Sequence, residues 1–298
     1  LSLKVMITSY NSSHLKGKIK VEEENRTMEE KIKKLKHFIK NLGSVIISYS
    51  GGVDSSFLLN IAVETIGKEN VIAVIGISDI FPKEEKDFAE KFCASCGVRY
   101  IKIKTNQLQN KNFIKNLPDR CFWCKKELFE KMEKIRRKNK FNYIIDGTNK
   151  NDENDYRPGE KAKKIFNVLS PLKEVDITKE EIRRYSKKIE LPTWNKPQMS
   201  CLATRIPYGE KITKEKLKRI EEGEKFLISL GFKIVRIRDY EEIARIEVDK
   251  NEIEKLVKMK EKVVKKLKTL GYKYITVDLD GYRTGSMNEV IKISNRGG

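Results

Sequence analysis

Apolar residues in the first two thirds of the chain follow two alternating patterns. Short continuous apolar runs, typical of strands buried in a parallel sheet, are separated by segments in which apolar residues recur every three or four positions, as in an amphipathic helix. The runs cover residues 44–49, 71–77, 99–103, 143–149 and 168–172. Strands and helices alternate in this way when helices cover both faces of one sheet. We therefore predict an α/β fold with a doubly wound, mostly parallel sheet.

The pattern changes after the segment 191–197, in which two prolines exclude a helix. Beyond it, two amphipathic helices and three short strands predict a smaller α/β unit. The helices are expected over 213–230 and 251–269, and the strands over 232–238, 243–248 and 272–279. We therefore predict a lead-in segment at 1–26, an N-terminal domain at 27–195 and a C-terminal domain at 196–298.

Helix starts are marked by capping residues. Thr178 is followed three residues later by Glu181, which is the spacing of a capping box, and Thr213 precedes the first helix of the smaller unit. These signals predict helices that begin directly after each threonine.

A glycine-containing turn joins the first strand to the next helix. It reads Ser50-Gly51-Gly52-Val53-Asp54-Ser55-Ser56. Two glycines let a backbone approach an anion closely, while serine hydroxyls and helix N-terminal amides supply donors beside the positive end of the helix dipole. The expected ligand is phosphate. An ordinary strand-to-helix turn of small residues is the alternative.

The turn resembles the pyrophosphate loop, S-G-G-x-D-S, of enzymes that split ATP to AMP and pyrophosphate, such as argininosuccinate, GMP and NAD synthetases. This resemblance implies a PP-loop ATP pyrophosphatase domain that uses ATP and Mg²⁺, with Asp54 helping to hold the Mg-pyrophosphate. Ligands of parallel sheets lie at the carboxyl ends of strands. We therefore expect Asp146, Gly147 and Thr148, which follow another strand, to join the loop in binding the nucleotide.

Composition and charge narrow the class of protein. Apolar residues make up 39% of the chain and charged residues 36%, and no apolar run is long enough to span a bilayer. No cleavable signal is apparent, so we expect a cytoplasmic protein without a membrane partner. The net charge of +20 favours a polyanionic partner such as RNA, or phosphorylated small substrates. Solvated helix faces, on which lysines stand beside glutamates, are the alternative.

Five cysteines form two C-x-x-C pairs, Cys93/Cys96 and Cys121/Cys124, and a single Cys201. In an intracellular chain such residues indicate metal binding or catalysis more than structural disulfides. One alternative is a zinc site made by both pairs; another is a redox disulfide between Cys121 and Cys124. Cys93 and Cys96 also fit the buried side of an amphipathic helix, where cysteine acts as a small hydrophobe.

A series of further motifs resembles, in order, the LarE family of ATP-dependent sulfur transferases, over about residues 30–290. The motifs are Asp119-Arg120-Cys121-Phe122-Trp123-Cys124-Lys125, Asp146-Gly147-Thr148-Asn149, Asp155-Tyr156-Arg157-Pro158-Gly159, Ser170-Pro171-Leu172, Cys201-Leu202-Ala203-Thr204-Arg205-Ile206-Pro207-Tyr208-Gly209 and Gly281-Tyr282-Arg283-Thr284-Gly285. The resemblance implies adenylation of a carboxylate of a pyridinium dicarboxylate mononucleotide, followed by sulfur insertion at that carbon, on the way to a nickel-pincer cofactor.

The resemblance leaves two sources of sulfur. In one subset of the family, a cysteine at the position of Cys201 gives up its own sulfur and becomes dehydroalanine. In another, that cysteine and a C-x-x-C pair bind a [4Fe-4S] cluster whose fourth iron can carry sulfide. Cys121, Cys124 and Cys201 are all present here, and three thiolates leave one iron open. We favour the cluster, with the sacrificial cysteine as the alternative.

Arginines near these motifs are candidates for binding the substrate phosphate. Arg236 and Arg238 alternate along a predicted strand, so their side chains share one face, and arginine suits bidentate phosphate binding. The resemblance places this Arg-x-Arg near the substrate phosphate. Pairing with nearby carboxylates is the alternative; the candidates are Glu241, Glu242 and Glu247.

Other candidates carry weaker signals. Arg205 could hold a carboxylate or the AMP phosphate, and Lys125 could contact the nucleotide or lower the pKa of a neighbouring thiol. Glu221 and Glu224 are either bases or solvated helix carboxylates. We expect His14 and His37, which match no motif, to lie at the surface.

The resemblance thus predicts a small phosphorylated substrate and a donor of sulfide or sulfur as partners, and we expect a homo-oligomer. An alternative keeps the chemistry but transfers sulfur to tRNA. A non-enzymatic ATP-sensing or iron-sulfur scaffold protein is a further alternative.

Overall fold

Four parallel strands form the larger sheet, in the order β3-β2-β1-β4. The computed structural model describes residues 26–154, 157–197 and 200–288, so most of the predicted lead-in lies outside it. The strands are β1 (Val45–Tyr49), β2 (Val71–Ile77), β3 (Arg99–Lys104) and β4 (Tyr143–Asp146). The first four predicted strands are confirmed.

The predicted strand over 168–172 is wrong. Only Leu169 forms a bridge, to Ile145 of β4, and a short helix begins at Pro171. Proline has no amide hydrogen for a sheet, but it suits the first position of a helix, where that amide would be unsatisfied.

Helices cover both faces of the larger sheet. The helices are α1 (26–42), α2 (Val53–Ile66), α3 (Lys83–Ser95), α4 (Lys111–Ile114), α5 (Arg120–Asn139), α6 (Gly159–Ile165), α7 (Pro171–Glu174) and α8 (Lys179–Lys188). Val45 and Ile47 of β1 pack with α1, α2, α3 and α8. Ile46, which points the other way, packs with α5 and α6. The doubly wound architecture is therefore confirmed.

The predicted capping box stands at the start of α8. The amide of Glu181 donates to Thr178 Oγ1, and the amide of Thr178 donates to the Glu181 carboxylate over 2.8 Å. Two amides that the helix itself leaves unsatisfied are thereby paired.

A second sheet has three strands, β5 (Val235–Tyr240), β6 (Ile243–Val248) and β7 (Tyr274–Val277), with β5 antiparallel and β7 parallel to β6. Helix α9 (Lys214–Ser229) follows its Thr213 cap as predicted. The predicted helix 251–269 is instead a 3₁₀ turn followed by α10 (Ile253–Lys258) and α11 (Lys260–Thr269). The sequence gives no sign of the break at Met259, because no proline or glycine lies near it.

A hydrophobic cluster joins the two parts of the chain. It contains Ile80 after β2, Phe113 of α4, Leu202 and residues of α9 such as Leu217 and Ile220. The Leu202 amide also donates to the Ile80 carbonyl over 2.8 Å. The segment after the predicted linker therefore returns to the carboxyl edge of the larger sheet. The domain division at 195/196 stays a prediction. Residues on both sides of this boundary belong to the cluster.

None of the helices in the described ranges is both long and apolar enough to cross a membrane.

Candidate functional site

A cleft of about 360 Å³ opens at the carboxyl ends of β1, β2 and β4. It brings together two stretches that the sequence singled out. Its lining includes Ser50, Gly52, Asp54 and Ser55 from the loop after β1, and Asp146, Gly147 and Thr148 from the end of β4. Gly51 and Ser56 are buried and do not belong to this lining.

The loop after β1 is shaped for an anion. Gly51 has φ +73°, a conformation that favours glycine, and the Ser50 and Ser55 hydroxyls lie 3.2 Å apart. No side chain caps α2 at Gly52. The first amides of α2, at the positive end of the helix dipole, are therefore available to a ligand.

Only one of the two carboxylate oxygens of Asp54 has a hydrogen-bond partner in the described part of the chain. Lys179 Nζ donates to its Oδ2 over 3.0 Å, while Oδ1 is buried and has no hydrogen-bond partner among the described residues. Burial raises the pKa of Asp54, and the ammonium of Lys179 opposes that rise. A cation at Oδ1 would satisfy this oxygen and favour the carboxylate. The site therefore fits Mg²⁺.

The cleft also has cations that sequence reasoning missed. Lys179 and Lys196 both line it, and Lys196 Nζ donates to the Gly51 carbonyl over 3.0 Å and pairs with Glu85 at 2.7 Å. Neither lysine belongs to a motif, and folding alone brings them to the loop. With Lys125 and Arg157, they give a lining that suits a polyphosphate.

Asp146 lies in a buried polar network beneath the cleft. Its Oδ2 is 2.9 Å from Lys163 Nζ, and its Oδ1 accepts from the Ser170 hydroxyl over 2.8 Å and from the Thr148 amide. Burial raises the pKa of Asp146, but the ammonium groups of Lys163 and Lys125 outweigh this and lower it. Asp146 is therefore an ionised residue that fixes the turn after β4. Lys163, on α6, was missed by sequence reasoning.

Gly147 of this turn presses against the loop after β1. A Cβ atom at Gly147 would lie 2.9 Å from the Ser55 amide nitrogen and 3.1 Å from its Cα. Both neighbours are backbone atoms, so the two halves of the nucleotide cleft fit together only without a side chain here.

Three cysteines lie close together beside the cleft. Cys121 and Cys124 lie at the start of α5, and Cys201 immediately precedes the 3₁₀ turn Leu202–Arg205. Burial raises the pKa of the Cys121 thiol and raises that of Cys124 to about 12, and in both cases the nearby Cys201 adds to the rise. Cys124 and Cys201 also pack against the same hydrophobic cluster, around Ile80 and Phe113, which brings the two segments together. Lys125 and Ser200, their sequence neighbours, line the cleft.

The other cysteine pair lies elsewhere. Cys93 is buried in the core around β1 and β2, and Cys96 packs against the same core. Burial raises the pKa of Cys93 to about 12, as expected of an inert core thiol. Within the described ranges, no three His, Cys, Asp or Glu side chains converge on a single metal ion, and all five cysteines are free thiols. The two pairs do not form the zinc site considered above.

Arg205 is fully buried, and its guanidinium is used within the protein. Nε and Nη2 each donate to Glu224 over 2.9 Å, and Nη1 donates to the Ser200 and Cys201 carbonyls over 2.9 and 3.0 Å. Arg205 thus holds the segment that carries Cys201, and a substrate phosphate would have to compete with these partners. Glu224 is buried rather than solvated, whereas Glu221 accepts from the Lys83 amide at the surface.

Arg236 and Arg238 are both buried on β5. Arg238 forms two hydrogen bonds with Glu247 of β6, of 2.9 and 2.6 Å, which confirms the carboxylate pairing considered as the alternative. The Arg236 guanidinium lies 5.1 Å from the ring centre of Tyr282. Burial lowers the pKa of Arg236, and Arg205 and Arg238 lower it further. Glu224 and Glu247 neutralise two of the three arginines, so the group keeps a net positive charge close to Arg236.

Some predicted residues fall outside the described ranges, namely His14, Asp155 and Tyr156. Arg157 of the same motif pairs with Asp152 at 2.5 Å. His37 is exposed, as predicted.

The amino-acid sequence is similar to known proteins over most of its length. The family model of NAD synthase matches residues 21–153. A protein of Lactiplantibacillus plantarum named pyridinium-3,5-bisthiocarboxylic acid mononucleotide synthase is 35% identical over 253 residues, which are 85% of this chain and 92% of that protein. An uncharacterized protein of Synechocystis sp. is 37% identical (89% of this chain, 99% of that protein), and one of Methanocaldococcus jannaschii is 35% identical (84% and 94%).

Proposed function

The chain belongs to the LarE family of ATP-dependent sulfur transferases, and we propose that it transfers sulfur to a carboxylate of a pyridinium dicarboxylate mononucleotide. A carboxylate oxygen would attack the α-phosphorus of ATP, and pyrophosphate would leave. Sulfide would then attack the activated carbon, and the bond to AMP would break. The juxtaposition of the nucleotide cleft with three free thiols is the observation that carries this proposal.

The first half of the reaction uses the loop after β1. The amides at the start of α2, with Ser50 and Ser55, would bind the pyrophosphate, and Mg²⁺ would bind Asp54 Oδ1, the buried oxygen without a partner among the described residues. Lys179 and Lys196 would neutralise the phosphates. Adenylation is needed because a carboxylate oxygen leaves poorly, whereas AMP leaves well.

For the second half, Cys121, Cys124 and Cys201 would hold a [4Fe-4S] cluster, which supplies sulfide from the iron that has no protein ligand. Each cysteine would bind a different iron, so the three thiols need not converge on one point. The start of α5 and the cations around Cys121, which are Arg120, Lys125 and Arg157, oppose the rise in the Cys121 pKa that burial causes. These features fit a centre with three thiolates.

The positive region on the smaller sheet would hold the phosphate of the substrate, with Arg236 and Arg238 as its ligands and Arg205 behind them. The net charge of +20 also suits tRNA, so tRNA remains the second candidate acceptor. In either case the reaction would belong to the cytoplasm, where ATP is plentiful.

Anaerobic purification with reconstitution by iron and sulfide tests the proposal. We expect about four irons per chain, loss of iron binding in Cys124→Ala, and unchanged iron binding in Cys93→Ala, the matched control. AMP formation should depend on the pyridinium substrate. If the wild-type protein binds zinc, or binds no iron, the predicted cluster is refuted. Loss of one H₂S from Cys201 after turnover, detected by mass spectrometry, would establish the sacrificial route.

Titration with tRNA at increasing salt separates the two acceptors. Attraction by charge alone weakens steeply as salt rises. Binding that persists at moderate salt, together with sulfur in the tRNA after turnover, would overturn the small-molecule acceptor.

A further inference from the structure

Arg120, the first residue of α5, is a buried cation beside the three-cysteine site. Arg120 as a whole residue is 4% exposed. One guanidinium nitrogen, Nη1, donates to Asn116 Oδ1 over 2.7 Å, and the guanidinium lies 4.3 Å from the ring centre of Tyr208. Its Nε is buried and has no hydrogen-bond partner in the part of the chain that the structure describes.

Two other buried arginines show what Arg120 lacks. Arg205 and Arg238 each form an ion pair with a buried carboxylate, Glu224 and Glu247 respectively. Among the described residues, no aspartate or glutamate forms such a pair with Arg120. A buried charge without a counter-charge is strongly destabilising. The fold therefore carries a positive charge that an anion should neutralise.

The anion is expected to be internal. Arg120 is too buried to receive a carboxylate of the substrate, but it lies between the two segments that carry the thiols. Cys121 is its neighbour on α5. Tyr208, over whose ring the guanidinium lies, belongs to the segment that follows Cys201. Asn116 donates to the Pro207 carbonyl of that segment over 2.7 Å. The positive end of the α5 dipole also favours negative charge here. Thiolates at this site would supply the negative charge that Arg120 lacks.

We propose that Arg120 is the internal counter-ion of the three-cysteine centre and a positioning residue for the sulfur transfer. This inference rests on the proposed function. Net charge and surrounding groups set the reduction potential of an iron-sulfur centre. A fixed cation next to Cys121 stabilises the centre when it carries more negative charge. Tyr208 and Asn116 keep the cation in place.

Two substitutions and a control test this role. Arg120→Met removes the charge but keeps much of the side-chain volume, and Arg120→Lys keeps the charge. Arg137→Met removes an arginine of the same helix whose side chain is 75% exposed. The unfolding temperature is measured without iron and after anaerobic reconstitution, and the ratio of reduced to oxidised centre is measured at fixed potentials.

Without iron, Arg120→Met should unfold at the temperature of the wild type or above it, because the unneutralised charge is gone. After reconstitution, the ratio of reduced to oxidised centre at a given potential should be about tenfold lower in Arg120→Met than in the wild type. For a one-electron couple this corresponds to a reduction potential that is lower by about 59 mV. Arg120→Lys and Arg137→Met should match the wild type in this ratio.

A lower unfolding temperature for iron-free Arg120→Met would show a structural role and refute the counter-ion. An unchanged ratio in reconstituted Arg120→Met would also refute it. If the wild type binds no iron, the cluster is refuted, and the iron-free comparison by itself then decides whether Arg120 is a buried cation without a counter-charge.

Discussion

Replacing Glu224 with glutamine should destabilise the whole chain although it changes only one charge. Glu224 is 5% exposed and Arg205 is fully buried. Both oxygens of the carboxylate accept from the guanidinium over 2.9 Å, and Oε1 also accepts from the Ile237 amide. In Glu224→Gln, an amide NH₂ group would face one of the guanidinium donors.

The expected loss follows from the burial of this pair. Removing one partner of a buried ion pair leaves an uncompensated charge and costs about 3–5 kcal/mol. Arg205→Met should cost a similar amount, because the carboxylate of Glu224 would then be unpaired. The double variant Arg205→Met/Glu224→Gln should lose less than the sum of the two single variants by about 2 kcal/mol or more. A residual loss remains, because Arg205 also binds the Ser200 and Cys201 carbonyls.

Urea unfolding followed by tryptophan fluorescence and far-UV circular dichroism measures these changes. Glu222→Gln is the matched control, since this residue lies on the same helix with a side chain that is 42% exposed. It should alter the free energy of unfolding by less than about 0.5 kcal/mol.

A loss below about 1 kcal/mol in Glu224→Gln would refute the reasoning. If Arg205 instead holds the substrate phosphate, Arg205→Met should mainly raise KM for the phosphorylated substrate and leave the unfolding curve in place. The two roles are therefore separated by which quantity moves.

Three further substitutions test other parts of the site. Asp54→Asn should lower pyrophosphate release about 10²–10³-fold with an unchanged circular dichroism spectrum, and activity within tenfold of wild type would contradict the Mg²⁺ role. Gly147→Ala places a Cβ 2.9 Å from the Ser55 amide, so it should cost about 1–3 kcal/mol and weaken ATP binding in calorimetry; unchanged affinity would show that the loops separate easily. Thr178→Ala removes the capping box of α8 and should cost about 1 kcal/mol in urea unfolding, whereas a loss near zero would show that Glu181 caps alone.

Much of the larger sheet could be predicted because its information is local. The runs that became β1 and β2 are apolar on both faces, which only a buried strand requires. The loop between β1 and α2 was identified from seven consecutive residues, and the Thr178 cap from two residues three positions apart. In each case the atoms that interact are close in the sequence.

The parts that could not be predicted depend on distant residues. Lys179 reaches Asp54 across 125 positions, and Lys196 reaches Gly51 across 145. Glu224 looked like a solvated residue of an amphipathic helix, and only folding placed Arg205 against it. Charged side chains are abundant in this chain, so composition does not indicate which of them become partners.

The hydrophobic cluster that joins the two parts also sets an order of events during synthesis. Cys121 and Cys124 leave the ribosome well before Cys201, and the segment of Cys201 is held at Ile80 through Leu202 and at α9 through Glu224 and Arg205. A nascent chain that ends just before α9 (Lys214–Ser229) already contains the nucleotide loop and all three cysteines, but it lacks the helix that fixes the segment of Cys201. The three-thiol site is therefore completed only after most of the protein has been translated, and fragments released early cannot present it.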